Sequence, residues 1–181
     1  MPRTWVLISA FVVVYLAITL VARESYGVGF AQIAAGMALG LALVALSIID
    51  LRTWRLPDII TLPLLAAGLV VAWLVENRDV VTAALAALFA VGALAGLNWI
   101  YLQVRGRSGL GFGDAKLFGA AGAWVGFEGL ASTLLLACLT ALVAVAAAVL
   151  SGREVQGSTA LPFGPFLCLG LWATWNFGPL I

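Results

Sequence analysis

The sequence predicts an all-α fold, a polytopic membrane protein of about seven transmembrane helices, and three observations predict it. Of 181 residues, 64% are hydrophobic and 9% charged, with a mean hydropathy of +1.15; soluble domains carry about 25% charged and about 45–50% apolar residues. The apolar residues fall in runs near the roughly 17–25 that a spanning helix needs. Runs such as 11–22 and 31–49 also lack the apolar/polar alternation that a barrel strand keeps over about ten residues. Helices are then the remaining way to satisfy the backbone in lipid.

The elements follow in order. A first span over 5–22 has Arg3 ahead of it and Arg23, Glu24, Ser25 and Tyr26 behind. No small-x-small cleavage site leads into a soluble region, so this is a retained span and not a signal peptide. The second, 31–49, runs directly into Asp50. The third, 59–75, opens behind Pro57 and Asp58, and the fourth covers 80–103. The fifth, 115–127, is short and parts from the sixth, 130–150, at Gly126, Glu128 and Gly129. The seventh covers 160–179. No linker is long enough to separate domains, so one integral-membrane domain over 1–181 is expected.

Basic residues orient the bundle. With the N-terminus inside, the inner segments carry Arg3, Arg52, Arg55, Arg105, Arg107, Lys116 and Arg153, and the outer ones only Arg23 and Arg78. An even number of spans would break this bias. Glycines recur four apart at Gly36/Gly40, Gly92/Gly96 and Gly122/Gly126, a spacing that lets helices approach closely. Packing within one bundle uses them; a homodimer is the alternative.

Composition excludes several functions. A net charge of +1 gives a nucleic-acid partner no electrostatic support. Cys138 and Cys168 lie in apolar runs and form no CxxC, so neither a disulfide framework nor a Cys-rich zinc site is expected. There is no histidine, which removes Ser-His and Cys-His catalysis, HExxH zinc sites and histidine proton relays. No metal or cofactor is expected.

Ionisable groups near a bilayer are costly, about 2.5–3.5 kcal/mol at its centre on the insertion scale, so the inner acids need a reason. Asp50 ends the second span. Asp114 opens the fifth, behind the glycines of GLGFGDAKLFG (109–119). Both fall at the same membrane edge, where two helices of one bundle can bring them face to face. Neighbouring carboxylates share one proton. The ionised member can take a proton from a water between them while the protonated member donates to a peptide carbonyl, with no histidine, metal or cofactor. Gly109, Gly111 and Gly113 would supply a hinge that swings Asp114 toward its partner and room for an extended substrate. Other readings stand beside these. Asp114 suits a helix N-cap, Asp50 a snorkelling residue paired with Arg52, Asp58 an ordinary first-turn acid, and Lys116 an interfacial charge.

Three segments then carry a resemblance. IIDLRTWRLPDIITLPLLAAGL (48–69) resembles the first aspartate motif of the type IV prepilin peptidases, GFGDAKLFGAAGAWVG (111–126) their second, and LPFGPFLCLG (161–170) their C-terminal Pro-Phe-Gly-Pro segment. They occur in family order over nearly the whole chain. The resemblance implies an aspartic endopeptidase of the cell (inner) membrane that works at its cytoplasmic face. Such an enzyme removes the short basic leader from prepilins or pseudopilins of type IV pilus and type II secretion systems, cutting after a glycine. It places Asp50 and Asp114 at the catalytic positions, with Gly111, Gly113, Lys116, Pro57 and Asp58 completing the motifs. Substrate and membrane lipid are then the expected partners. The turn at 23–29 leaves no room for the zinc-binding cytoplasmic domain of long bacterial members, so a short form without N-methyltransferase activity is expected. Two rivals are weaker. One is a non-catalytic transporter, channel or assembly scaffold; a transporter would couple protons through a mid-span acid, and none stands in 5–22, 31–49, 80–103 or 130–150, nor is an inverted repeat apparent. A GxGD protease of the signal-peptide-peptidase type would put Tyr before the first aspartate, where Ile49 stands.

Overall fold

A computed structural model describes residues 30–75, 78–106, 111–151 and 161–180. These form five helices: α1 (Phe30–Thr53), α2 (Asp58–Leu74), α3 (Val80–Arg105), α4 (Phe112–Leu150) and α5 (Gly164–Phe177). No strand occurs among the described residues. The all-α expectation holds. The count of seven is not confirmed: the span expected over 5–22 lies outside the described residues, and among the described residues α1, α3 and α4 are long and apolar enough to cross a membrane. The last helix is shorter than the expected 160–179, with 14 residues starting at Gly164. Pro162 disfavours helix at Leu161 before it, Pro165 sits in the first turn, where a missing N–H costs nothing, and Gly178, at φ 81°, closes the other end.

α4 is broken at Gly126, whose φ of 68° and ψ of −173° are not helical, at the boundary expected from sequence. The packing shows that its two limbs run in opposite directions. In the first limb, Gly119 faces Val91 and Ala87 of α3 and Gly122 faces Ala86, while Trp124 reaches the far end beside Trp175. In the second, Thr133 meets Gly170 and Thr174 of α5, and Ala137 meets Gly170 on the way back. α5 lies antiparallel to α1, with Gly164 against Asp50 and Trp175 against Gly36.

Lipid tails are as apolar as leucine, so helices here are held by close packing and hydrogen bonds. The core is accordingly built on small residues: Ala86, Ala87, Ala90, Ala115, Ala120, Ala121 and Ala123 are all buried. A methyl at Gly122 would meet the Ala86 carbonyl oxygen at 2.6 Å, and one at Gly68 would meet Trp124 Cδ1 at 2.6 Å. Trp124 fills that space and donates its Nε1–H to the Leu64 carbonyl (2.8 Å). Gly36 and Gly122 thus pack within the chain, whereas a methyl at Gly92 or Gly96 would meet no described atom within 4 Å.

One end of this bundle gathers the end of α1 and the starts of α2, the first limb of α4 and α5. Arg52, Arg55, Arg105 and Lys116 fall at this end, together with Asp50, Asp58 and Asp114. Arg78, Asp79 and Glu128 fall at the other.

Candidate active site

Asp50 sits in the last turn of α1 and is buried, 5% exposed. It therefore does not reach to water beside Arg52, the alternative open in the sequence. Its carboxylate lies against the N-terminus of α5: a methyl at Gly164 would meet Asp50 Oδ2 at 2.6 Å. Glycine is required there for room, since any side chain would displace the acid. The start of a helix presents unpaired N–H groups and a partial positive charge, which favours a carboxylate. Asp50 Oδ2 itself has no hydrogen-bond partner among the described residues. A buried carboxylate oxygen left unpaired is costly, and functional sites are where such costs persist.

Asp114 is also buried, at 8% exposure. It occupies the first turn of α4 at N3 and not the N-cap, which is Gly111. From N3 its Oδ2 accepts the Gly111 N–H at 3.1 Å, the reaching-back half of a capping box. The structure brings the two buried carboxylates to one end of the bundle, with Leu56 bordering both Gly113 beside Asp114 and Gly164 against Asp50.

The structure gives two of the three glycines before Asp114 a definite setting. Gly109 lies outside the described residues. Gly111 has φ −73° and ψ 147°, extended backbone open to any residue. Gly113 is helical and needed for close approach: a methyl there would meet Leu56 Cβ at 2.9 Å.

Leu56 is the residue that sequence reasoning missed. It is buried in the 54–57 loop, and its isobutyl group borders both Gly113 and Gly164, with Cδ2 at 3.3 Å from a methyl placed on Gly164. The loop turns inward through Trp54, which is left-handed at φ 57°, a conformation that costs an L-residue about 1–2 kcal/mol. Pro57 ends the loop as the N-cap of α2, its carbonyl accepting the N–H groups of Ile60 (3.1 Å) and Thr61 (3.2 Å). Asp58 is indeed a first-turn acid, but it also binds Lys116, whose Nζ lies 2.7 Å from both of its carboxylate oxygens. Lys116 also sits over the Phe112 ring, 5.1 Å from its centroid. This ion pair ties the start of α2 to the start of α4, two residues beyond Asp114. Among the described residues no group of three or more metal-ligating side chains comes together. What the site offers is two buried carboxylates, one with an open oxygen, beside an apolar side chain.

Known proteins share this arrangement of sequence. The type IV leader peptidase family model matches residues 37–146. The chain is 41% identical over 150 residues to the prepilin leader peptidase/N-methyltransferase of Burkholderia pseudomallei, covering 80% of this chain and 46% of that protein. Its identity to the Pseudomonas aeruginosa protein of the same name is 33% over 150 residues, 83% of this chain and 51% of that protein. The corresponding protein of Aeromonas salmonicida is 36% identical over 147 residues, 81% and 50% of the two chains. This chain thus spans about half the length of the curated relatives it matches. No solved structure matches it. The family match runs through both aspartates and the loop between α1 and α2, and the chain belongs to the type IV leader peptidase family.

Proposed function

We propose that this protein is an aspartic endopeptidase that removes the short basic leader from type IV prepilins or pseudopilins at the cytoplasmic face of the cell membrane, with Asp50 and Asp114 as its catalytic pair. The observation that carries the reading is the burial of both carboxylates at one end of an apolar bundle, with Asp50 Oδ2 unpartnered among the described residues. The names of the relatives support it. Of the two activities in those names, the peptidase is the one proposed for these residues, because 37–146 holds both aspartates.

The chemistry follows from two acids with one proton between them. The ionised carboxylate removes a proton from a water, and the hydroxide equivalent bonds to the scissile carbonyl carbon. The protonated carboxyl gives its proton to the carbonyl oxygen, forming a neutral tetrahedral diol. Collapse reverses the roles: one diol oxygen loses a proton, the C–N bond breaks, and the leaving nitrogen takes a proton from the other carboxyl. Water is consumed and the dyad returns to a single shared proton. The unpaired Asp50 oxygen provides an acceptor for that water.

Charge supports the sidedness. Arg52, Arg55, Arg105 and Lys116 share the end that holds the aspartates, and Arg78 the other. The positive-inside rule puts the first end in the cytoplasm, and the span expected over 5–22 would then return the N-terminus to the same side. A leader rich in Lys and Arg would be retained on the same side, placing the scissile bond at the interface. The test is to reconstitute the purified chain in liposomes with a prepilin and read the products by mass spectrometry. Wild type should release one leader, and Asp50→Asn and Asp114→Asn should each lose about 10²–10⁴-fold in rate. Correctly inserted Asn variants that still cut would overturn the proposal.

A further inference from the structure

We infer that Leu56 is the wall that limits the size of the substrate residue beside the scissile bond. The inference rests on the peptidase reading above and goes beyond it by naming a specificity determinant. If water is held between Asp50 and Asp114, the scissile carbonyl must lie over it, and an extended chain places its neighbouring residue only one peptide unit away. The Leu56 isobutyl group borders the backbone ahead of Asp114 at Gly113 and the backbone against Asp50 at Gly164. Neither glycine has room for a methyl group: the contacts would be 2.9 Å to Leu56 Cβ and 2.6 Å to Asp50 Oδ2. A substrate residue brought up to the two acids therefore meets the Leu56 side chain, which has no free space behind it at Gly113 or Gly164 into which to withdraw.

The wall is also anchored. On one side Trp54 turns left-handed, with its N–H donating to the Asp50 carbonyl at 2.9 Å. On the other, Pro57 caps α2 and Asp58 is held by Lys116 at 2.7 Å. A side chain fixed at both flanks works as a size filter, because excluding a larger residue then requires no movement of the loop.

The experiment measures kcat/KM of wild type, Leu56→Ala and Leu56→Val in liposomes on a prepilin series. The series carries Gly, Ala or Val at each of the two positions flanking the scissile bond. Selectivity is a ratio within one variant, so a reduced amount of folded enzyme cancels. One methylene-sized change in a pocket shifts selectivity by about tenfold or more. Leu56→Ala should therefore raise the ratio of Ala to Gly substrate by about tenfold at one position, and Leu56→Val by less. Ratios within about twofold of wild type at both positions, in both variants, would overturn the inference while leaving the peptidase reading intact. A wild type that cuts no member of the series would overturn the peptidase reading, and this inference with it.

Discussion

Gly164 shows how tightly the site constrains a single residue. Its missing side chain leaves the space that Asp50 Oδ2 fills, 2.6 Å from where a methyl would stand. Gly164→Ala should displace the acid and lower processing by tenfold or more. The overpacking itself should cost about 1–3 kcal/mol of stability. Processing rates and thermal unfolding in detergent separate the two effects; an Ala variant with wild-type kcat/KM would contradict the placement of Asp50. Asp79, at the opposite end, carries a pH dependence. Its carboxylate accepts the Thr82 hydroxyl (2.8 Å) and the N–H groups of Thr82 (3.0 Å) and Val81 (3.4 Å), and these bonds hold its pKa below the ordinary carboxylate value. Because the folded pKa is the lower one, its contribution is present above the unfolded pKa of about 3.9 and lost as pH falls through the folded value. Asp79→Ala should therefore lower Tm at pH 6 and change it less at pH 3. Equal changes at both pH values would contradict this capping role.

At the scale of elements, the return of α4 depends on Gly126. Its φ of 68° suits glycine, and an added methyl would meet Arg78 Nη1 at 2.9 Å. Arg78 in turn donates to the Trp124 carbonyl at the end of the first limb, a carbonyl left without a helical partner by the break. With ψ at −173° its backbone lies in a region nearly confined to glycine, so Gly126→Ala should destabilise the protein by about 1–3 kcal/mol, measured by denaturant unfolding in detergent. An unchanged midpoint would mean that the two limbs do not turn at this residue. The Lys116–Asp58 pair contributes differently. It is partly exposed, 25% and 55% at the two side chains, and such pairs add about 0–1 kcal/mol. Its importance lies in fixing the loop that carries Leu56 and not in overall stability.

For the whole molecule, what could be read from sequence is what the membrane makes conspicuous. A carboxylate in an apolar chain is costly, so Asp50 and Asp114 stand out, and hydropathy delimits α1, α3 and the break at Gly126 with few errors. Leu56 carries no such signal, because one leucine among many looks like any other. Its place depends on the left-handed turn at Trp54, which nothing in tryptophan's own preferences announces. The Lys116–Asp58 contact joins residues far apart in the chain, beyond any local pattern. Gly113 stands out in sequence as part of the glycine run before Asp114, but which neighbour it approaches does not: only the fold brings Leu56 to 2.9 Å from where its methyl would stand. The start of α5 lies later than the expected 160 because hydropathy registers neither the bar that Pro162 sets on helix at Leu161 nor the preference of Pro165 for a first turn.

The proposed joint action of the two acids on one water is tested most directly by the cleavage rates of wild type, Asp50→Asn, Asp114→Asn and the double variant on one prepilin. Groups that act as a unit are strongly non-additive. Each single variant should lose about 10²–10⁴-fold, and the double variant should be no slower than the slower single one. Losses that multiply in the double variant, or a single variant that keeps the wild-type rate, would contradict a shared catalytic pair.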